Sequence, residues 1–126
     1  MIHLDTSFLI RALVPGSPEG AQVRAWLRGD VPLRISSIAW SEFLCGPVDS
    51  EASRLAALVV GEAIGFTAAD AELAASLFNG NGSGRRRGTL LDSMIAATAI
   101  RAGAALATAD RVDFTRFHAA GLELVP

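Results

Sequence analysis

Between Leu90 and Ala102 the chain reads LLDSMIAATAIRA, an apolar stretch with helical spacing that contains one carboxylate, Asp92. Residues three, four and seven apart share a helix face. Asp92 therefore stands with Ile95, Ala96, Ala99 and Gly103, a stripe of apolar and small residues suited to packing on a sheet. A helix ending near Cys45 carries the same anomaly, with Glu42 on a face shared by Ile38, Ala39, Cys45 and Gly46. Burying an unpaired carboxylate costs several kcal/mol, so such an acid must be paired, protonated or bound to a cation. No arginine lies on either stripe, and a divalent cation would relieve the repulsion between facing carboxylates directly. By contrast, Glu19, Asp49, Glu51, Asp70 and Glu72 read as ordinary surface acids near helix starts or on polar faces.

The rest of the chain alternates short strands with helices. Ile2-His3-Leu4 reads as a first strand running into Asp5-Thr6-Ser7, where Thr6 or Ser7 can cap a helix over the apolar residues that follow. Ser17-Pro18-Glu19 starts a helix to about Arg28, and Val31 to Ile35 is a second strand before the cap Ser36-Ser37. Asp49 to Val60 has helical spacing, Ala63 to Phe66 reads as a strand, and Thr67 to Asp70 resembles a capping box. After the glycine-rich loop 79–88 come the Asp92 helix, a strand over Ala104 to Thr108, a turn with a short helix over Asp110 to Phe117, and a last strand over Leu122 to Val125. Five short strands joined through helices favour an α/β fold with a central parallel sheet. In such sheets ligands gather beyond the C-terminal strand ends, where strand order reverses. Asp5 and Asp110 fall there, and Glu42 lies one turn into the helix after the second strand.

The length of 126 residues and a half-apolar composition suit a single domain spanning residues 1–126. The start MIHLDTS lacks the pattern of a secretory signal, no apolar run is long enough for a membrane span, and the lone Cys45 fits a reducing compartment, so a cytoplasmic protein is expected. Net charge is −2, but five acids gathered in one pocket would leave a small positive excess elsewhere, so charge neither supports nor excludes a polyanion partner. Every basic residue besides histidine is arginine, and tyrosine is also absent. Schiff-base chemistry and Walker-type phosphate grips are thereby excluded. His3, His118 and Cys45 are too scattered for a zinc site, whereas oxygen-only ligation suits Mg²⁺ or Mn²⁺.

These residues also spell a family pattern. MIHLDTSFLI, the segment Ser37 to Gly46 with its S-x-x-x-x-E-x-x-x-G spacing, and LLDSMIAATAIRAGAALATADRVDF at residues 90–114 resemble, in order, the motifs of PIN-domain ribonucleases, especially VapC-type toxins of toxin–antitoxin pairs. The resemblance implies a three-layer α/β/α sandwich and a Mg²⁺- or Mn²⁺-dependent endoribonuclease active as a homodimer. Its RNA substrate would be a structured RNA such as tRNA, and its protein partner a cognate antitoxin. Asp5, Glu42, Asp92 and Asp110 match the family's acidic quartet, and Asp113 matches a further acid that some members use. The metal would fall to Asp5, Asp92, Asp110 and Asp113. Thr6, Ser7 and Thr108 match hydroxyl positions that orient carboxylates or the attacking water. Two other readings stay open: a catalytically silent binding module on the same fold, and an acid-pocket phosphatase using Asp5 as nucleophile.

Several features have both a functional and a plainer reading. Arg85-Arg86-Arg87 is either a phosphate grip at the mouth of the acidic site or a solvated basic loop. His3 reads as a satisfied core histidine, His118 as a surface residue, and Cys45 as small core filler. Trp26 and Trp40 could stack on bases, but packing is the stronger expectation.

Overall fold

The computed structural model describes residues 1–80 and 87–126, apart from the side chain of Arg87. Arg85 and Arg86, and with them the basic-loop reading, lie outside the described residues. Element order is β1 (Ile2–Leu4), α1 (Thr6–Ala12), α2 (Pro18–Arg28), β2 (Leu33–Arg34), α3 (Ser37–Cys45) and α4 (Ser50–Val60). Then follow α5 (Ala68–Asn79), α6 (Arg87–Ala102), β3 (Ala105–Ala107), α7 (Arg111–Thr115) and a 3₁₀ turn at His118–Ala120.

The helix starts follow local chemistry. Ser17 accepts from the Gly20 amide with Pro18 at the first helical position, and Ser36 and Asp49 cap α3 and α4 in the same way. Thr67 and Asp70 form the reciprocal box that opens α5. Gly103, with φ of +65°, follows the end of α6 in a conformation that favours glycine. The start of α1 departs from expectation. Its N-cap is Asp5, whose side chain makes no capping bond, and neither Thr6 nor Ser7 accepts from an orphan amide as cap. The Thr6 hydroxyl instead donates to the Ala39 carbonyl of α3 at 2.8 Å, and Ser7 donates to Asp5. Tertiary partners outcompete the local cap.

The sheet is parallel, in the order β2-β1-β3. Ile2 and His3 register against Leu33 and Arg34 on one side, and Ile2, His3 and Leu4 against Ala105, Leu106 and Ala107 on the other. The first crossover, through α1 and α2, steps one way from β1. The second, through α3 to α6, passes back across β1 to β3. Crossovers of one hand in opposite directions place their helices on opposite faces, giving the α/β/α sandwich. Two of the five expected strands contract to single bridges, Ser36 to Ile64 and Leu106 to Leu124. The second strand is also shorter than 31–35, because Pro32 has no amide to donate, although its carbonyl accepts from Ile2 at 2.9 Å.

Leu4, Leu9, Ile35, Phe43, Leu106 and Phe114 are all at most 1% exposed and knit β1, β3 and the residue after β2 to α1, α3 and α7. Burying each such side chain contributes roughly 1.5–3 kcal/mol. This core fixes where β1 and β3 end, and the candidate site begins at those ends. Among the described residues, no helix is long and apolar enough to cross a membrane.

Candidate active site

Asp5 leaves the C-terminal end of β1 and is 4% exposed. Its Oδ2 accepts from Ser7 Oγ at 2.9 Å and from Thr108 Oγ1 at 2.8 Å. Each hydroxyl also receives a backbone amide from the end of β3: Ala109 N–H donates to Ser7 at 3.1 Å, and Asp110 N–H to Thr108 at 3.0 Å. With the Asp5 amide on the Ala107 carbonyl at 2.9 Å, the two strand ends are stitched together around one carboxylate. Burial pushes the Asp5 carboxyl above its ordinary range, the two hydroxyls and the Thr6 amide pull it back, and the charge of Asp110 adds to the rise.

Glu42 enters from α3 and is half-buried. Burial raises its pKa most, with the charges of Asp5 and Asp110 adding and the Thr6 hydroxyl opposing. Asp92 comes from α6, and its pKa is pushed up to about 6, first by burial. The charges of Asp5, Asp113 and Glu42 push the same way, against Arg116. Arg116 Nη2 stands 3.2 Å from Asp92 Oδ2, both side chains being 26% exposed. Asp110 is the N-cap residue of α7 and Asp113 lies in its first turn, both exposed.

All five acids therefore surround the C-terminal ends of β1 and β3, near enough for Asp5, Glu42 and Asp92 to feel the others' charge. As placed, no three carboxylate, imidazole or thiol side chains among the described residues form a ready cation-binding group. Their chemistry nevertheless fits a hard divalent cation: the donors are all oxygen, and burial, with the charges of neighbouring acids adding to it, already raises three pKa values. Thr6 sits beside Glu42 but is tied to Ala39, while Ser7 and Thr108 both hold Asp5.

Other expectations need correction. Arg116 is a cation partner for Asp92 that no helix-face rule could find, because it arrives from beyond α7 rather than along the Asp92 stripe. Cys45 is exposed rather than core filler. The inward residues of α3 are Ala39 and Phe43, so Cys45 joins Glu42, Ile38, Ser41 and Leu91 around a cavity of about 400 Å³. His3 is 1% exposed, as a core residue should be, but neither ring nitrogen has a hydrogen-bond partner among the described residues. Burial, with the charges of Arg34 and the N-terminus, lowers its pKa to about 4. Asp70 is buried at 5% exposure rather than solvated, because Arg101 pairs with it at 2.9 Å. Trp26 stacks on Phe8 and Trp40 on Phe43, in keeping with packing roles. His118 is exposed, as expected.

The PIN-domain family model matches residues 2–119, and the chain belongs to that family. No curated protein sequence matches it. Among solved structures, it is similar to VapBC2 from Rickettsia felis bound to a DNA fragment from its promoter, with a TM-score of 0.78 at 22% identity over 99% of this chain and 98% of that one. It is also similar to FitAcB from Neisseria gonorrhoeae, with a TM-score of 0.72 at 21% identity over 100% of this chain and 97% of that one.

Proposed function

We propose that this PIN domain is a divalent-metal-dependent endoribonuclease that hydrolyses RNA phosphodiester bonds, the toxin of a type II toxin–antitoxin pair. The observation that carries the reading is the meeting of Asp5, Glu42 and Asp92 from three separate elements, each with its pKa raised by burial and by neighbouring acids. Carboxylates gathered at such a cost to their own ionisation suit a cation and a phosphate more than scaffolding. The reading takes residues 1–126 as one domain. Structured RNA such as tRNA is the proposed substrate, and a cognate antitoxin the proposed protein partner, supported by the likeness to VapBC2. The working form is taken as a cytoplasmic homodimer.

Asp5, Asp92 and Asp110, with Asp113, would hold Mg²⁺ or Mn²⁺, which when bound supplies charge neutralisation at the phosphate and activation of water. The chain's own part is positional and protolytic. Ser7 and Thr108 fix the Asp5 carboxylate so that it need not reorganise on binding. Glu42, half-buried with a raised pKa, is the candidate to take a proton from the attacking water. No covalent intermediate is required, which suits a chain without lysine or tyrosine.

One observation favours the alternative of a silent binding module: Arg116 already neutralises part of the charge on Asp92. A phosphatase with Asp5 as nucleophile is disfavoured, because that carboxylate is 4% exposed and occupied by two hydroxyls. The deciding experiment is cleavage of total cellular RNA by purified, antitoxin-free protein with Mg²⁺ or Mn²⁺, with EDTA and Asp5→Ala controls. Discrete fragments that vanish in both controls support the ribonuclease. Folded protein that cuts nothing under either metal supports the silent module.

A further inference from the structure

Beside the acids lies a second recess that shares only Thr108 with the acid cluster and its hydroxyls. It is a cavity of about 280 Å³ between α1, α2 and the segment that follows β3, at the small end of ligand pockets. One wall is Thr108, which donates to Asp5 directly, and Ala109, whose amide reaches Asp5 by way of Ser7, and the next residue is Asp110 itself. Arg11 from α1 and Arg111 from α7 line it, together with Glu19 and Gln22 from α2. Both arginines are exposed, and among the described residues neither makes an ion pair, not even with Glu19. Arg111 donates to the Val125 carbonyl, at 2.6 Å, through Nη1 alone. The guanidinium fork has five N–H donors, so most of its capacity is unspent.

Two unpaired guanidiniums in one recess make an anion site, and their forked geometry matches a phosphate. A carboxylate and an amide in the same recess suit the hydrogen-bonding edge of an unstacked base, the element by which single-stranded RNA is read. Glu19 also works against indiscriminate anion binding, so the recess favours a ligand with an anion at one end and donors at the other.

We propose that this cleft is a nucleotide subsite of the RNA track, in which Arg11 and Arg111 hold one phosphodiester outside the scissile one and Glu19 and Gln22 contact the adjoining base. The proposal rests on the ribonuclease reading and adds to it a place where sequence preference next to the cut is set.

The test uses the full chain and a short single-stranded RNA containing the mapped cleavage site. Binding is followed by anisotropy in EDTA, and cleavage by steady-state kinetics with Mg²⁺ or Mn²⁺. Arg11→Gln and Arg111→Gln should each weaken RNA binding about fivefold and lower the salt-dependence slope by about one. In cleavage they should raise KM while kcat stays within about twofold. A neutral methylphosphonate at one phosphate beside the cut should weaken binding to the unaltered protein but not to the arginine variants. Glu19→Gln and Gln22→Ala should change the preferred base at one position. Among the described residues Arg11 makes no side-chain hydrogen bond or ion pair that folding would miss, and Arg111→Lys keeps a donor for Val125, so melting temperatures separate folding from binding. Arg54→Gln on α4 is the control for general charge, and a loss there equal to that of the arginine variants overturns the subsite. Wild-type cleavage with unaltered binding and KM in the arginine variants overturns the subsite alone. A wild-type protein that neither binds nor cuts RNA overturns the subsite and the ribonuclease reading together.

Discussion

Arg116 Nη2 stands 3.2 Å from Asp92 Oδ2, and among the described residues this is the one ion pair made by any of the five clustered acids. The same guanidinium lies 4.8 Å from the centre of the Phe117 ring, which holds it over the aromatic face. Arg116→Ala should drive the Asp92 pKa further above about 6. The pair exists only when Asp92 is ionised, so the variant should lose about 0.5–1 kcal/mol near pH 7.5 and much less near pH 5. Melting curves at the two pH values, with carboxyl-carbon NMR of Asp92, check this. An equal loss at both would mean that Arg116 acts through Phe117 instead.

Asp92→Asn should abolish cleavage and stabilise the fold. A native pKa of about 6 lies above the ordinary 3.8, so between those values the folded state holds a proton that the unfolded chain has released. Stability contributed by this group therefore falls as pH rises from 3.8 toward 6 and stays lowered above it. Metal-free Asp92→Asn should be more stable than wild type by about 1–2 kcal/mol near pH 7.5, with the gain vanishing near pH 4. A large loss at neutral pH would mark Asp92 as a structural acid.

Metal binding should carry the same titration. A ligand carboxylate must be ionised, so apparent Mg²⁺ affinity should fall by up to about tenfold per pH unit below about 6, with proton release on binding. Calorimetry in two buffers of different ionisation enthalpy measures that release directly. A flat profile would take Asp92 out of the ligand set.

Thr108 has two tasks, donating to Asp5 and accepting from the Asp110 amide. Thr108→Val leaves both groups short of a partner, at a cost of about 1–3 kcal/mol, and should lower kcat by about 10- to 100-fold. Thr108→Ser should restore most of both. Equal activity in the valine variant would show that Ser7 alone orients Asp5.

Away from the acids, Asp70 joins the α5 capping box to Arg101 on α6. Asp70→Asn should cost about 1–3 kcal/mol in denaturant unfolding and leave kcat/KM of the folded protein unchanged. Lost activity without lost stability would contradict a purely structural role.

The pattern of caps and apolar periodicity made most helices legible, because Ser17, Ser36, Asp49 and Thr67 act within three residues of themselves. The candidate acids could be picked out as carboxylates interrupting apolar helices or following strands. Relationships between elements were not legible. Arg116 reaching Asp92, Arg101 covering Asp70, and Thr6 turning to Ala39 each depend on how two helices meet, and no spacing within either one encodes it. Strand lengths also failed, since apolar segments around Ile64 and Leu124 are spent on the core with one bridge each rather than on a ladder.

Those single bridges have a consequence for association. A sheet grows by offering a run of unpaired amides and carbonyls along an outer strand. Here the outer strands are two and three residues long, and each flank is touched by one further bridge, at Ile64 or Leu124. An incoming strand finds little ladder to extend, which guards the fold against runaway stacking of copies. A stable union of this chain with itself or with another protein then draws on helix faces more than on sheet extension.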